Sequence, residues 1–65
     1  MESERHAFMR KFLELCVATG VGMQAFDGPL VALANGDHWI QDLRVDVNNR
    51  TCTGYWDGER HEVWL

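Results

Sequence analysis

A cysteine and a histidine in the second half of the chain are the residue types that could support catalysis. Cys52 and His61 lie in neighbouring predicted strands, where the pairing deduced below makes them diagonal neighbours on one face of a sheet. With a carboxylate nearby, they could serve as nucleophile, general base and orienting group. However, a helix must cover that face, and a chain of 65 residues has no second lobe to form a cleft. We therefore predict that the protein is not an enzyme.

The remaining metal-binding and thiol residues also favour a structural interpretation. His6, His38 and His61 are scattered without the short spacings of zinc-ligand motifs, so we predict no metal and no cofactor. Cys16 and Cys52 both point into the predicted core, where free cysteine is among the most buried residue types. A disulfide between helix and sheet is the alternative that the sequence leaves open.

The distribution of charge indicates the kind of partner. The formal net charge is −4, and it falls entirely after residue 20, where seven acidic residues accompany three arginines. A negative surface repels nucleic-acid phosphates and anionic membranes, and it attracts basic partners. We predict no direct nucleic-acid binding, no membrane association and a protein partner with a basic surface.

The start of the chain predicts a cytoplasmic address. It is charged and polar, and the longest apolar stretch, residues 30–34, is too short for a signal peptide or a membrane span. Two widely separated cysteines do not form the disulfide framework of a secreted domain. We expect one free-standing domain over residues 1–65, located in the cytoplasm with reduced thiols.

The first element is an amphipathic helix over about residues 3–19. Ser3 is a suitable N-cap, and Gly20 and Gly22 supply the left-handed conformation that ends many helices. Apolar residues recur with the helical period between these points, which predicts one buried stripe: Phe8, Met9, Phe12, Leu13, Leu15, Cys16 and Val17.

The rest of the chain reads as an antiparallel β-meander with strands over about 38–47, 50–56 and 59–65. The dipeptides Asn48-Asn49 and Asp57-Gly58 suit two-residue hairpin turns, which need positive φ. Residues 29–34 could be a further strand, joined through Asn35-Gly36, or a short helix that begins at Pro29. The fold class is α+β: an N-terminal helix on a three-stranded sheet, or a four-stranded one if residues 29–34 form a strand.

Two-residue turns fix the register and therefore the two faces of the sheet. Val45 would oppose Cys52, Gln41 would oppose Trp56, and Gly54 would oppose His61. Gly54 leaves room for a bulky neighbour such as Phe12 or Trp39, or it marks a bulge. The face under the helix collects Trp39, Leu43, Val45, Val47, Cys52, Trp56 and Val63, and the other collects Ile40, Asp42, Arg44, Asp46, Thr51, Thr53, Tyr55, Arg60, Glu62 and Trp64.

The outer face is the candidate site for a partner. Carboxylates two residues apart on a strand are ~6.6 Å apart, close to the phosphate repeat of a nucleic-acid strand, so they could mimic DNA or simply solvate the surface. Exposed aromatic residues among acids are typical of protein interfaces. The predicted partner-binding residues are Asp42, Asp46, Tyr55, Asp57, Glu59, Glu62 and Trp64.

In length, acidity and lack of a catalytic motif, the whole chain resembles phage-encoded anti-CRISPR proteins. The resemblance implies an inhibitor that occupies a basic, nucleic-acid-binding surface of a bacterial defence complex such as a type I CRISPR effector. It carries over no functional residues, because these inhibitors share no common motif. The alternative is a structural or regulatory module that acts as a homodimer through the open sheet face or an edge strand. We expect the free chain to be a monomer or a weak homodimer.

Overall fold

The computed structural model describes residues 3–20, 29–32 and 39–65 of the chain. Helix α1 (Glu4–Thr19) is followed by strands β1 (Pro29–Ala32), β2 (Trp39–Asp46), β3 (Thr51–Trp56) and β4 (Glu59–Trp64). The strands form one antiparallel sheet in the order β1-β2-β3-β4, and α1 packs on one face of the meander. The predicted α+β architecture is confirmed.

Helix α1 begins and ends where its capping residues predict. The Ser3 hydroxyl accepts a hydrogen bond from the main-chain N–H of His6, and Gly20 ends the helix with a φ of 72°. Its Glu4 places a negative charge in the first turn, where the helix dipole is favourable. Of the predicted stripe, Met9, Leu13 and Cys16 are buried against the sheet, whereas Leu15 is 60% exposed and was wrongly included.

Strand β1 resolves part of the alternative for residues 29–34. Pro29–Ala32 pairs with β2, with Ala32 opposite Trp39, so this segment is a strand rather than the start of a helix. Residues 33 and 34, and the turn proposed at Asn35-Gly36, lie outside the described residues.

The β3–β4 hairpin has the predicted register along its whole length. Trp56 opposes Glu59, Gly54 opposes His61, and Cys52 opposes Val63. Asp57 and Gly58 have φ values of 54° and 75°, as a two-residue turn of type I′ requires. This part of the fold follows from local turn chemistry.

The turn between β2 and β3 differs from the prediction in length. Val45 does oppose Cys52, but the last pair is Asp46 with Thr51, so the loop has four residues, 47–50, and not two. The residue with positive φ is Arg50, at 55°, rather than Asn48 or Asn49. The predicted two-residue loop and the observed four-residue loop give the same register between β2 and β3. The predicted pairing of Val45 with Cys52 was therefore correct.

A β-bulge at Asp42 reverses the sheet faces that were predicted for the first residues of β2. Asp42 has a φ of 52°, and the register shifts between Gln41 and Arg44, so that Gln41 opposes Tyr55 and not Trp56. Strict alternation would have placed the polar Gln41 on the core face. The bulge buries Ile40 completely instead, and it leaves Trp39 45% exposed on the outer face; both assignments made from the sequence were wrong.

The core lies between α1 and the covered face of the sheet. Ile40 fits there because its side chain lies over Gly54, which has none: a Cβ on Gly54 would lie 2.5 Å from Cγ2 of Ile40. Gly54 thus provides the predicted room, but the side chains nearest to it are those of Ile40 and Met9 rather than Phe12 or Trp39. The buried residues are Met9, Leu13, Cys16, Ile40, Leu43, Val45, Cys52, Trp56 and Val63, with Val47 partly buried beside them.

Candidate partner-binding face

The outer face is the side of β2–β4 that points away from α1. Its side chains form three cross-strand rows, and each row takes one residue from each strand. The rows are Asp46, Thr51 and Trp64; Arg44, Thr53 and Glu62; and Gln41, Tyr55 and Arg60. No described element covers these rows.

Two of the predicted acidic residues are paired with arginines of their own strands. Nε of Arg44 lies 3.1 Å from Oδ1 of Asp42, and Nη2 of Arg60 lies 3.3 Å from Oε2 of Glu62. Such exposed pairs contribute about 0–1 kcal/mol each to stability, but they neutralise the local charge. The carboxylates of Asp42 and Glu62 therefore do not form an uninterrupted negative row.

Asp46 is occupied by the turn that follows it. Its Oδ1 accepts a hydrogen bond from the N–H of Asn49 at 3.1 Å, and its Oδ2 accepts one from Nδ2 of Asn49 at 2.8 Å. Aspartate commonly holds turns in this way. The structure gives Asp46 a structural task at the end of the face that carries Trp64.

Asp57 and Glu59 lie at the opposite end of the β3–β4 hairpin from Trp64. Both are exposed, and neither forms an ion pair with a described residue. Glu59 opposes Trp56, so it lies on the helix side of the sheet rather than on the outer face. These two residues supply the least compensated negative charge of the predicted set, away from its other members.

The aromatic members of the set flank the central row of the outer face. Tyr55 is half-buried between Gln41 and Arg60, whereas the Trp64 side chain is 58% exposed. The main chain of Trp64 is fixed, because its carbonyl accepts a hydrogen bond from Nη1 of Arg10 at 2.8 Å. Leu65 donates its N–H to the carbonyl of Arg50 at 3.1 Å, which ties down the following residue. Trp64 is therefore displayed on a rigid backbone and not folded over the edge of the sheet.

Trp39 adds an aromatic side chain that the predicted set omitted. It lies on the outer face at the far end of β2, with its carbonyl held by Nε of Arg5 at 3.0 Å. The signal that could have revealed it was Gln41, whose polar side chain is unsuited to the core-facing row.

A cluster of aromatic rings on the helix side was also missed. The His61 and Trp56 rings are stacked with a centroid separation of 3.7 Å and an interplanar angle of 1°, and the His6 ring meets both edge-on. The guanidinium of Arg5 lies 5.2 Å from the centroid of the Trp56 ring, a cation–π arrangement. The register places His61 beside Trp56, but no spacing in the sequence indicates that His6 of the helix joins them.

The cluster leaves one polar atom without a partner. Nε2 of His61 is buried and has no hydrogen-bond partner among the described residues. His6 differs, since its Nδ1 lies 2.6 Å from the Ser3 hydroxyl that caps the helix. The cluster joins α1, β3 and β4 at one end of the core.

Cys52 is not arranged as a nucleophile. The residue is completely buried, and burial, together with the neighbouring Cys16 sulfur, raises the pKa of its thiol to about 12. Burial also raises the pKa of Cys16. A nucleophilic cysteine needs a thiolate at neutral pH, and Cys52 is a thiol there. Both cysteines are free and buried, so the disulfide left open by the sequence is not formed.

The described segments contain neither a group of side chains suited to a metal ion nor a helix that could span a membrane. Within residues 3–20, 29–32 and 39–65, no three His, Cys, Asp or Glu side chains are grouped so as to hold a metal ion. In the same part of the chain, the helix is too short and too polar to cross a bilayer.

Comparison with known protein families, with characterised proteins and with solved structures finds no match to this chain. The function must therefore be inferred from the surface itself.

Proposed function

We propose that this chain is a small inhibitor of the anti-CRISPR kind, which binds a basic, nucleic-acid-binding surface of a bacterial defence complex. The observation that carries the proposal is the exposure of Trp64 on a fixed backbone, on a sheet face that no described element covers. Large exposed aromatic side chains on rigid elements are typical anchors of protein interfaces. The proposed contact surface is the outer face, with Trp64 and Tyr55 as anchors.

The charges support a basic partner, with separate roles for two groups of acids. Asp57 and Glu59 at the β3–β4 turn supply uncompensated negative charge that would accelerate association with a basic surface. Asp42 and Glu62 hold Arg44 and Arg60 in place and would exchange these partners on binding. In this proposal Trp64 and Tyr55 provide most of the affinity, and Asp57 and Glu59 increase the association rate.

The test is protection of a phage or plasmid that a type I CRISPR system targets, in cells that express the chain. We expect restored infection or transformation with the wild-type chain. Trp64→Ala should weaken binding of the chain to the purified effector about thirtyfold, as hot-spot residues do. Leu15→Ala is the matched control and should bind normally, because Leu15 is 60% exposed but belongs to α1, on the other side of the sheet from the outer face.

The charge assignment is tested by association kinetics. Asp57→Asn with Glu59→Gln should lower the association rate constant at low salt and leave the dissociation rate nearly unchanged. Asp42→Asn with Glu62→Gln, which also removes two negative charges, serves as the comparison. Failure of the wild-type chain to protect any targeted phage, or to bind any purified effector, would refute the proposal.

A further inference from the structure

Strand β4 is a regular edge of the sheet that the described strands form. It lies last in the strand order, and no described strand pairs with its outer side. Its pairing with β3 is unbroken by any bulge, whereas the β1–β2 and β2–β3 pairings both contain a register shift. It also contains neither proline nor lysine, which commonly protect edge strands from pairing with another chain.

The hydrogen bonds show which main-chain groups of β4 point outward. Leu65 donates to the carbonyl of Arg50, so the odd-numbered residues of this segment are the ones that bond to β3. The N–H and C=O groups of Arg60, Glu62 and Trp64 therefore point away from the sheet. The bond from Arg10 of α1 to the Trp64 carbonyl agrees with this assignment. That bond closes the edge at Trp64 and leaves Arg60 and Glu62 open.

We infer that β4 pairs with β4 of a second copy of this chain, antiparallel about a two-fold axis at His61. In this register Arg60 of each copy opposes Glu62 of the other, so the two-fold axis generates two such pairs. Each pair forms two main-chain hydrogen bonds. Both residues lie on the outer face, so each guanidinium also meets a carboxylate. The product is one continuous eight-stranded sheet with both helices on the same side.

The neighbouring register, centred on Glu62, is less favourable for two reasons visible in the structure. It places the two Glu62 carboxylates directly opposite each other, and like charges in that position are destabilising. It also pairs Trp64 with Arg60 of the other copy, so that the Trp64 carbonyl would have to leave Arg10. Shifting by a single residue is excluded, because it would join outward-pointing main-chain groups to groups already bonded to β3.

The inference goes beyond the proposed function and does not rest on it. Arg60 and Glu62 take part in both, but the proposed anchors Trp64 and Tyr55 stay on the open outer face of the paired sheet. Trp64→Ala tests binding to the defence complex and the charge-swapped variants test dimerisation, so the two failures can be told apart.

Sedimentation equilibrium over a dilution series, with the full chain, tests the dimer. We expect a reversible monomer–dimer equilibrium. Arg60→Glu and Glu62→Arg should each raise the dimer dissociation constant about tenfold, because each replaces two attractive pairs with two repulsive ones. The double variant Arg60→Glu/Glu62→Arg should return within about twofold of the wild type. Tyr55→Ala, which alters the outer face but not the edge, is the control and should dimerise normally.

An isotope-filtered NMR experiment on a mixed labelled sample tests the register in the wild-type chain. In the proposed pairing the Hα of Glu59 lies close to the Hα of Val63 of the other copy, whereas within one strand these residues are ~13 Å apart. A cross-peak between them supports the inference. A monomer at every concentration, a dimer without this cross-peak, or a charge-swapped variant no better than the single ones would overturn it.

Discussion

The two hairpins of the meander share β3 but form their pairings in different ways. The β3–β4 hairpin has a two-residue turn and an unbroken register, whereas the β2–β3 hairpin has a four-residue turn and a bulge at Asp42. Among the described residues, three that are not glycine have positive φ, and two of them, Asp42 and Arg50, belong to the β2–β3 hairpin. Local turn geometry determines the β3–β4 hairpin, whereas the β2–β3 hairpin adapts to the side chains that it packs against.

The reason for the bulge lies on the facing strand and the helix. Gly54 leaves a space on the core face of β3, and Ile40 and Met9 fill it. Without the extra residue at Asp42, Gln41 would face the core and Ile40 would face solvent. The bulge buries Ile40 and keeps the polar Gln41 out of the core, and it does so at the cost of exposing Trp39 and placing Asp42 in the left-handed region. Tertiary packing therefore determines the irregular hairpin.

The largest expected effect comes from filling the space that the irregular hairpin uses. Gly54→Ala should lower the free energy of unfolding by about 3 kcal/mol, because the new Cβ would overlap Cγ2 of Ile40 at 2.5 Å. Urea denaturation measures this change. In the Gly54→Ala background, Ile40→Ala should cost less than it does alone, since it removes the clash; equal costs in both backgrounds would contradict the packing explanation.

High pH should weaken both hairpins together through their common strand. Burial raises the pKa of Cys52 to about 12 from an ordinary value of 9.0. Below pH 9 the thiol is protonated in both the folded and the unfolded chain, so its contribution does not change with pH. Between these two values only the folded chain retains the proton, and the free energy of unfolding should fall by about 1.4 kcal/mol per pH unit.

Urea denaturation across this alkaline range gives the slope, and Cys52→Ala is the matched control. The variant should have a shallower slope, with a smaller remainder from Cys16, whose pKa is also raised. Slopes are compared rather than absolute stabilities, because the alanine also leaves a cavity. Identical slopes for the two proteins would exclude Cys52 as the cause.

The parts of the fold that could be predicted are those determined by residues close in sequence. Ser3 and Gly20 mark the helix, and Asp57-Gly58 fixes the β3–β4 register, because capping and type I′ turns depend on one or two residues. The bulge depends on Gly54, twelve positions from Asp42, and its local signal in β2 is the polar Gln41 in the core-facing row. Because the bulge was not predicted, Trp39 was assigned to the core face and Ile40 to the outer face, the reverse of their observed positions.

The candidate site could be predicted as a face but not as a set of interactions. Alternation in β3 and β4 correctly assigned Tyr55 and Trp64 to the outer side. The ion pairs within single strands and the use of Asp46 in a turn depend on side-chain conformations that the register does not fix. The cluster of His6, Trp56 and His61 rings could not be predicted either, because it joins residues from three separate elements.

The regular hairpin should be sensitive at its turn. Gly58→Ala should lower the free energy of unfolding by about 1–2 kcal/mol, because φ at this position is 75° and a Cβ is unfavourable there. No heavy atom lies within 4 Å of the position that the new Cβ would take, so the cost measures backbone conformation alone. Arg50→Gly is the opposite test in the other hairpin, where φ is 55°, and it should be neutral or slightly stabilising. A neutral Gly58→Ala would contradict a turn-determined register.

The smallest expected effect is at the start of the four-residue turn. Asp46→Ala removes both hydrogen bonds to Asn49 and should cost about 1 kcal/mol in chemical denaturation. Glu62→Gln is the matched control, because it removes an exposed carboxylate whose ion pair with Arg60 contributes little. If Asp46→Ala costs less than Gly58→Ala, the irregular hairpin depends less on its turn than on Ile40 and Gly54. If it costs more, the turn at 47–50 sets the register and the bulge merely follows from it.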